Sequence, residues 1–383
     1  MTTPPAALRT LAGRYDPEVF DVGSRRALVR LQQTGGAAWD AVLEDRAARL
    51  ISANGARPDA VLTADARTWE RLADDLRGGM DAFRAGRLKV RHDLHLGVGF
   101  LAATARESAL RFRHVPTKIG DISTMEAGEG PPVLLIHGLG ATKASFLPTL
   151  AAIAERHRVI SVDLPGFGDS TKPIGAPYDA RFFARTMVAL LDALELERAD
   201  AIGNSMGGRV AIELGLSHPD RVRRLVLLAP SLGWLRERRW AKLLRLVRPE
   251  LGLIQPAPRG IVEGIVRRTI PGAQDGWAAA GVDEFLRSYL TPRGRAAFYA
   301  AARNIYLEEP HGPDGFWTRL PGLTPESLFV WGRKDPLVPL AFARHVREAL
   351  PHAEHLELNC GHVPQLERPQ ETHRRIDRFL GAA

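Results

Sequence analysis

The chain has 383 residues, of which 45% are hydrophobic, and its formal net charge is +8. This length is long for one domain and the apolar content is ample for packed cores, so we expect two domains. Only six of the 52 basic residues are lysine, and no basic run is interleaved with aromatic residues. The positive charge therefore indicates a compositional bias toward arginine, and we expect no nucleic-acid partner.

Cysteine usage and the N-terminal residues bear on the cellular compartment. Cys360 is the single cysteine, which excludes an internal disulfide and a cysteine-based metal site. The N-terminus has no basic start followed by an apolar core, and no stretch of about 18 apolar residues occurs anywhere. These features predict a cytoplasmic protein.

The first hundred residues follow an α+β pattern. We predict a helix over 25–33, strands over 39–43, 47–51, 59–64 and 87–92, and helices from Asp65 to Gly78 and over 80–86. Asp65 is a suitable N-cap for the helix that follows it. No catalytic constellation is visible in this part of the chain.

Several of these residues resemble the lipid-carrier domain of the sterol carrier protein family. The resemblance rests on DAVLTAD at 59–65, Trp69 and DAFRAGRLKVR at 81–91, and extends over about residues 20–105. It implies a domain over 1–105 with a tunnel for acyl chains, enclosed in part by the segment 83–101. The apolar residues of that segment equally fit the small domain's own core, and both interpretations stay open.

The second part of the chain alternates strands and helices. The apolar runs that predict buried strands lie at 133–136, 158–162, 199–202, 224–229, 327–331 and 355–358. Such alternation predicts a mostly parallel sheet with helices on both faces, whose functional site lies at the carboxyl ends of the strands. The alternation is interrupted at 231–321, which we interpret as a helical lid inserted over the site of a domain that spans 106–383.

A serine flanked by glycines two residues away on each side stands at the end of one strand, in the run GNSMGG at 203–208. This pattern is typical of the nucleophile elbow, a sharp turn that exposes a serine hydroxyl above the sheet. Side chains at Gly203 and Gly207 would collide with the neighbouring strand and helix. Ser205 is therefore the candidate nucleophile.

Two further residues complete a triad in the order serine, acid, histidine. Asp335 follows the strand at 327–331, and His362 follows the strand at 355–358. We therefore predict Asp335 as the acid and His362 as the base. Asp163 and Asp169 are weaker candidates for the acid because they precede the nucleophile.

The strand at 133–136 ends in the loop His137-Gly138-Leu139, where an oxyanion loop is expected. The backbone N–H groups of Leu139 and Met206 are the candidate oxyanion donors. We assign structural roles to His137 and Cys360, and interpret Glu367 as a solvated charge at a helix start.

Four motifs together resemble lipases of the monoacylglycerol-lipase type in the α/β-hydrolase superfamily, over residues 110–383. The motifs are HGLGATK at 137–143, DLPGFGDS at 163–170, GNSMGG at 203–208 and GHVPQLERP at 361–369. The resemblance implies an α/β-hydrolase fold with a mostly parallel sheet and a helical lid. It also implies hydrolysis of a hydrophobic or lipid ester through an acyl-enzyme, with no metal or organic cofactor.

Two rival functions remain open. Carbon–carbon bond hydrolases of aromatic degradation, which act on vinylogous diketones, can share the GNSMGG elbow and the triad. Two departures weaken this alternative, because the oxyanion loop lacks a Gly-Pro-Gly sequence and Val363 stands where those enzymes often carry Trp. The second rival is an inactive lipid-binding or carrier protein, against which the intact triad argues.

The start of the predicted lid, at 234–247, combines large apolar residues with five cationic ones. Such a segment either contacts a membrane or lipid surface, or packs an apolar stripe onto its own domain. The sequence leaves the oligomeric state open.

Overall fold

The structure, a computed structural model, describes residues 3–74, 82, 86–105, 110–233, 237, 239, 241–269 and 276–381. The chain divides into two compact units. Unit 1 consists of Met1–Phe112 and Ala257–Arg287, and unit 2 consists of Arg113–Pro256 and Ser288–Ala383. Residues 257–287 of unit 1 come from within the stretch interpreted as a lid. The domain boundary at 105/106 and the lid remain predictions.

Unit 1 contains a five-stranded sheet of order β3-β2-β1-β4-β5. Its strands are β1 (Ala27–Gln33), β2 (Ala38–Glu44), β3 (Ala47–Ser52), β4 (Ala60–Ala64) and β5 (Leu88–Arg91). Its helices are Ala6–Gly13, Ala66–Asp74, Leu94–Ala103, Arg259–Thr269 and most of Gly276–Tyr289. β1 pairs antiparallel with β2 and parallel with β4.

The prediction of a helix over 25–33 is wrong, because this stretch forms the central strand β1. Ala27, Val29 and Leu31 are fully buried in alternation, which is the strand period of two. Between them Arg30 Nε donates across the sheet to Asp40 Oδ1 at 2.8 Å. Pairing on both sides overrides the helical propensity of Leu, Arg and Gln. The helix predicted over 80–86 lies almost wholly outside the described residues.

Two buried carboxylates join the later segment of unit 1 to its earlier one. Asp283 accepts from Arg91 Nε at 2.7 Å and from the His92 backbone N–H at 2.9 Å. Glu284 accepts from the Leu94 N–H at 2.7 Å, at the N-terminus of helix Leu94–Ala103. A carboxylate is stabilised there by unsatisfied N–H groups and the helix dipole.

Unit 2 is built on an eight-stranded sheet of order β13-β12-β11-β10-β8-β9-β7-β6. Its strands are most of β6 (Leu110–Thr117), β7 (Gly120–Ala127), β8 (Pro132–Ile136), β9 (Arg158–Val162), β10 (Ala199–Asn204), β11 (Val222–Leu228), β12 (Glu326–Gly332) and β13 (Glu354–Leu358). The longer helices are Leu147–Ile153, Ala180–Ala193, Met206–Ser217, Pro292–Tyr306, Phe342–Ala349 and Pro369–Gly381. The shorter ones are Ala241–Leu244, Leu251–Ile254, Phe316–Arg319 and Pro364–Glu367.

The register of the sheet places the predicted loops at one edge. β10 runs parallel to β8 and β11, and β11, β12 and β13 continue in parallel. β7 pairs antiparallel with β9, so the sheet is mixed only toward that side. Because parallel strands end at the same edge, the loops after β8, β10, β11, β12 and β13 converge there. This is the α/β-hydrolase fold predicted from the sequence.

The described ranges contain no helix that is long and apolar enough to cross a bilayer. They also contain no group of three or more His, Cys, Asp or Glu residues arranged to hold a metal ion.

Candidate active site

The turn predicted as the nucleophile elbow lies where β10 meets helix Met206–Ser217, which we name the elbow helix. Ser205 has φ +53° and ψ −114°, a strained conformation for a residue with a side chain. A Cβ atom on Gly203 would lie 2.3 Å from the Gly207 carbonyl oxygen, and one on Gly207 would lie 2.0 Å from the Ile136 carbonyl oxygen. Only glycine fits at both positions, as the sequence predicts.

The structure brings Asp335 and His362 together. His362 Nδ1 lies 2.7 Å from Asp335 Oδ2, and the carboxylate is buried. Its other oxygen accepts from the backbone N–H groups of Leu337 at 2.8 Å and Val338 at 3.0 Å. Since Nδ1 faces a carboxylate it carries the proton, which leaves Nε2 as the basic nitrogen. The pair therefore has the arrangement of an oriented general base.

The loop that carries His362 is held from two sides. Glu367 accepts from the N–H groups on either side of the histidine, Gly361 at 2.6 Å and Val363 at 3.0 Å. Glu367 is exposed in the first turn of helix Pro364–Glu367, as predicted, and these two hydrogen bonds are a further role. An acid early in the helix after a loop is a known signal for bonding to preceding N–H groups, and could have indicated this role. Asn204 Nδ2 donates to the carbonyl oxygen of His362 at 3.2 Å.

The loop after β8 passes beside Ser205. A Cβ atom on Gly138 would lie 3.4 Å from Ser205 Cβ. His137 is fully buried, with Nδ1 2.7 Å from the Gly138 carbonyl oxygen and Nε2 accepting from the Leu164 N–H at 3.0 Å. Burial lowers the pKa of His137, which favours this neutral tautomer. The Leu139 N–H follows directly in this loop and stays a predicted oxyanion donor.

A buried ion cluster ties this loop to the loop after β9. Lys143 Nζ donates to Asp163 Oδ2 at 2.6 Å and to Asp169 Oδ2 at 3.0 Å. The backbone N–H of Lys143 also donates to Asp163 Oδ1 at 2.7 Å. Burial opposes ionisation of Asp163, but the Lys143 charge holds its pKa below the usual range. We name Lys143, Asp163 and Asp169 the oxyanion-loop cluster.

A second ion cluster lies on the elbow helix. Arg209 Nε donates to Glu308 Oε2 at 2.6 Å, and Arg209 Nη2 donates to Glu213 Oε2 at 2.7 Å. Arg319 Nη2 donates to the other oxygen of Glu213 at 2.5 Å. The Arg209 guanidinium also lies 5.0 Å from the centre of the Phe316 ring. We name Arg209, Glu213, Glu308 and Arg319 the elbow-helix cluster.

Two hydroxyl groups that no sequence motif indicated lie beside Ser205. Ser231, which follows β11, has its Oγ 3.5 Å from Ser205 Oγ. Tyr306, the last residue of helix Pro292–Tyr306, has its hydroxyl hydrogen-bonded with the side chains of Ser205 and Ser231. Tyr306 is about 100 residues from Ser205 and belongs to no motif, so no local signal indicated it.

Comparison with known proteins identifies the family. Residues 131–369 match the model of the alpha/beta hydrolase fold family. The chain belongs to the α/β-hydrolase family. The triad order, the elbow and the strand arrangement of this α/β hydrolase agree with that membership.

Three similar proteins illustrate how varied the relatives of this α/β hydrolase are. A 2-hydroxymuconate semialdehyde hydrolase of Pseudomonas putida is 29% identical, over 67% of this chain and 90% of that protein. A pimeloyl-[acyl-carrier protein] methyl ester esterase of Aeromonas hydrophila is 31% identical, over 68% of this chain and 99% of that protein. The crystal structure of a membrane phospholipase A, described as a bacterial virulence factor, matches with a TM-score of 0.58 and 28% identity. This match covers 72% of this chain and 86% of that chain.

Proposed function

We propose that this hydrolase uses Ser205 as nucleophile, His362 as general base and Asp335 as the residue that orients the imidazole. The observation that carries the proposal is the 2.7 Å contact between His362 and Asp335, in loops that converge on the strained serine at the end of β10. Attack on a carbonyl carbon transfers the Ser205 proton to His362 Nε2, and the Leu139 and Met206 N–H groups stabilise the oxyanion.

A fluorophosphonate probe tests the nucleophile. We expect it to label the wild-type chain at Ser205 and to leave folded Ser205→Ala unlabelled. Asp335→Asn should remain folded and label far more slowly, because the imidazole loses its orienting carboxylate. Absence of labelling in the folded wild-type chain would instead favour the rival function of a catalytically inactive lipid-binding or carrier protein.

Hydrolysis of a carbon–carbon bond in a vinylogous diketone is the first candidate reaction. It is supported by the names of similar proteins, among them 2-hydroxymuconate semialdehyde hydrolases at 29% and 30% identity, and by the shared GNSMGG elbow. In this reaction Ser205 attacks the ketone carbonyl, and His362 delivers its proton to the carbon leaving group.

Hydrolysis of a carboxylic ester of a hydrophobic or lipid acid, of the monoacylglycerol-lipase type, is the second candidate. It is supported by similarity to a methyl ester esterase at 31% identity and to a phospholipase A structure. Val363 and the Gly138-Leu139 sequence, which depart from the carbon–carbon hydrolase pattern, favour it. Arg209, the cation nearest to Ser205 along the elbow helix, is bound by Glu308 and Glu213, so it does not offer a charge to a dienoate carboxylate.

One panel of substrates separates the two candidates. The chain is assayed with p-nitrophenyl esters of increasing acyl length beside a vinylogous diketone, with Ser205→Ala as the blank. Diketone cleavage with negligible ester turnover supports the first candidate. Turnover that rises with acyl length, without diketone cleavage, supports the second.

We also propose that unit 1 is a lipid-binding module of the sterol-carrier type that captures or presents an acyl substrate. Support comes from the resemblance of residues 59–91 and from the strongly apolar helix Leu94–Ala103. Mass spectrometry of full-length Ser205→Ala should detect an acyl lipid that copurifies in near-equimolar amount. Protein purified free of lipid, and unable to take up a fluorescent fatty acid, would contradict the proposal.

The segment after β11 is proposed to contact a lipid surface. Leu246 and Ile254 are each 79% exposed, beside the exposed cations Arg245 and Arg248, a composition that suits an anionic bilayer. The wild-type chain should sediment with phosphatidylglycerol vesicles, and Leu246→Ser/Ile254→Ser should sediment less. Ile174→Ser, at a residue 64% exposed elsewhere in unit 2, is the matched control and should sediment normally.

A further inference from the structure

Three side-chain hydroxyls from separate parts of unit 2 meet at the nucleophile. Ser205 stands at the elbow, Ser231 follows β11 and Tyr306 ends helix Pro292–Tyr306. Ser205 and Ser231 are 5% and 2% exposed. The Tyr306 hydroxyl is hydrogen-bonded with both serines. Attack by Ser205 uses His362, which Asp335 orients, and the oxyanion donors, so this step assigns no role to the other two hydroxyls.

Acylation changes the hydrogen bonding of this cluster. Once Ser205 carries an acyl group, its Oγ has no proton and no longer donates. A buried hydroxyl that loses a partner costs free energy unless another polar group replaces it. Water both donates and accepts, and is stably bound where two or more polar groups converge. The hydroxyls of Ser231 and Tyr306 are such a pair. They lie beside Ser205 Oγ, the atom to which the acyl carbon is bonded in the intermediate.

The Tyr306 hydroxyl stays neutral at physiological pH. Burial raises its pKa, hydrogen bonds from Ser205 and Ser231 oppose this, and the negative charge of Asp335 raises it further. A neutral hydroxyl can orient water through one donated and one accepted hydrogen bond, but it cannot serve as the base. The proton must therefore go to His362.

The elbow-helix cluster fixes the position of Tyr306. Glu308, two residues after Tyr306, is bound by Arg209, which lies one turn beyond Ser205 on the elbow helix. The nucleophile and the tyrosine are thus tied to the same helix, which maintains the spacing between their hydroxyls.

We propose that Tyr306 and Ser231 bind the water molecule that hydrolyses the acyl–Ser205 intermediate. The water oxygen bonds to the acyl carbon while one water proton passes to His362 Nε2. The bond between the acyl carbon and Ser205 Oγ then breaks, Oγ keeps the electron pair and takes the proton from His362, and the acid is released. The inference rests on the proposed serine mechanism and applies to both candidate substrates.

The test separates loading of Ser205 from the attack of water. p-Nitrophenyl dimethylcarbamate transfers a slowly hydrolysed carbamoyl group to an active serine. Loading is followed by p-nitrophenol release, and hydrolysis of the isolated carbamoyl-enzyme is followed by intact mass. In Tyr306→Phe we expect loading within about threefold of wild type and hydrolysis about tenfold slower, the size expected for one lost hydrogen bond in a transition state. Ser231→Ala should shift the same step.

The control is Tyr178→Phe, which also removes a tyrosine hydroxyl. The Tyr178 hydroxyl donates to the carbonyl oxygen of Pro173 at 2.8 Å. It should leave both steps unchanged. Equal slowing of loading and hydrolysis in Tyr306→Phe, or unchanged hydrolysis in both the Tyr306 and Ser231 variants, overturns the water-site proposal. Failure of the wild-type chain to be carbamoylated at Ser205 overturns the serine mechanism itself.

Discussion

The oxyanion-loop cluster and the elbow-helix cluster both bury a cation, but they draw their partners from different distances along the chain. Lys143 is 20 residues from Asp163 and 26 from Asp169, and it joins loops that follow neighbouring strands. Arg209 pairs with Glu213 four residues away on its own helix, but it is 99 residues from Glu308, and Arg319 is 106 from Glu213. The first cluster joins the loops that follow β8 and β9. The second joins the end of helix Pro292–Tyr306 to the elbow helix.

The clusters also differ in how well water can replace a lost partner. In the oxyanion-loop cluster the Lys143 and Asp163 side chains are 1% and 0% exposed. In the elbow-helix cluster Glu308 is 20% exposed, and Glu213 keeps Arg319 if Arg209 is removed. We therefore expect the oxyanion-loop cluster to be the more sensitive to substitution.

Lys143→Met should have the largest effect, because Asp163 would be left buried and uncompensated. We expect a loss of about 3–5 kcal/mol in the free energy of unfolding, measured by urea denaturation. Lys143→Met/Asp163→Asn should recover part of that loss. Lys172→Met, which removes a lysine that donates to the carbonyl oxygens of Gly168 and Ser170, should cost only about 1 kcal/mol. Equal losses in the two lysine variants would contradict the proposed difference between the clusters.

Arg209→Met should destabilise less, by about 2–3 kcal/mol in the same assay. It should also slow fluorophosphonate labelling, because the tie between Glu308 and the elbow helix is lost while the triad stays intact. Arg209→Met/Glu308→Gln should be more stable than Arg209→Met alone. A loss for Arg209→Met that exceeds the loss for Lys143→Met would reverse the comparison.

The contribution of ionised Glu213 to the stability of the protein should decrease at acidic pH. Burial raises its pKa, but hydrogen bonds from Arg319 and the charge of Arg209 outweigh this and lower it to about 2. A depressed folded-state pKa stabilises the protein above the unfolded-state value and loses that effect as the pH falls toward the folded value. We expect the free energy of unfolding of wild type to exceed that of Glu213→Gln by about 2 kcal/mol at pH 7. The difference should shrink as the pH falls from the ordinary value of 4.5 toward about 2. A difference that stays constant over this range would exclude the charged form as its source.

The smallest effect is expected at the edge of the elbow-helix cluster. Arg181 is 52% exposed, and its Nε lies 3.8 Å from Glu213 Oε1. Exposed ion pairs contribute about 0–1 kcal/mol, so Arg181→Ala should leave the urea midpoint nearly unchanged. A large decrease in the urea midpoint would show that the stability of the cluster depends on its exposed members as much as on Arg209.

The same contrast of distances explains what the sequence could predict. The strands of unit 2 were recognisable as short apolar runs bounded by Gly and Pro, and the elbow follows from glycine sterics at Gly203 and Gly207. Asp335 and His362 were predictable because parallel strand ends meet at one edge. Tyr306 and Glu308 were not, since their positions depend on packing that no local pattern encodes.

One error and one missed role have local causes instead. The strand β1 alternates buried and partly exposed residues, yet Leu, Arg and Gln are also good helix formers, and only its pairing with β2 and β4 decides between the two structures. Glu367 is a case where the signal was present, because an acid in the first turn of a helix commonly bonds to the N–H groups before it.

The carboxylates of Asp283 and Glu284 have a consequence for synthesis on the ribosome. They bind Arg91, His92 and Leu94, so the N-terminal part of unit 1 lacks these partners until almost 200 further residues have been translated. Nascent chains normally complete their N-terminal domains first. Here the leading domain and the segment that completes it are separated by β7 to β11, so the beginning of the chain matures only when most of the hydrolase has emerged.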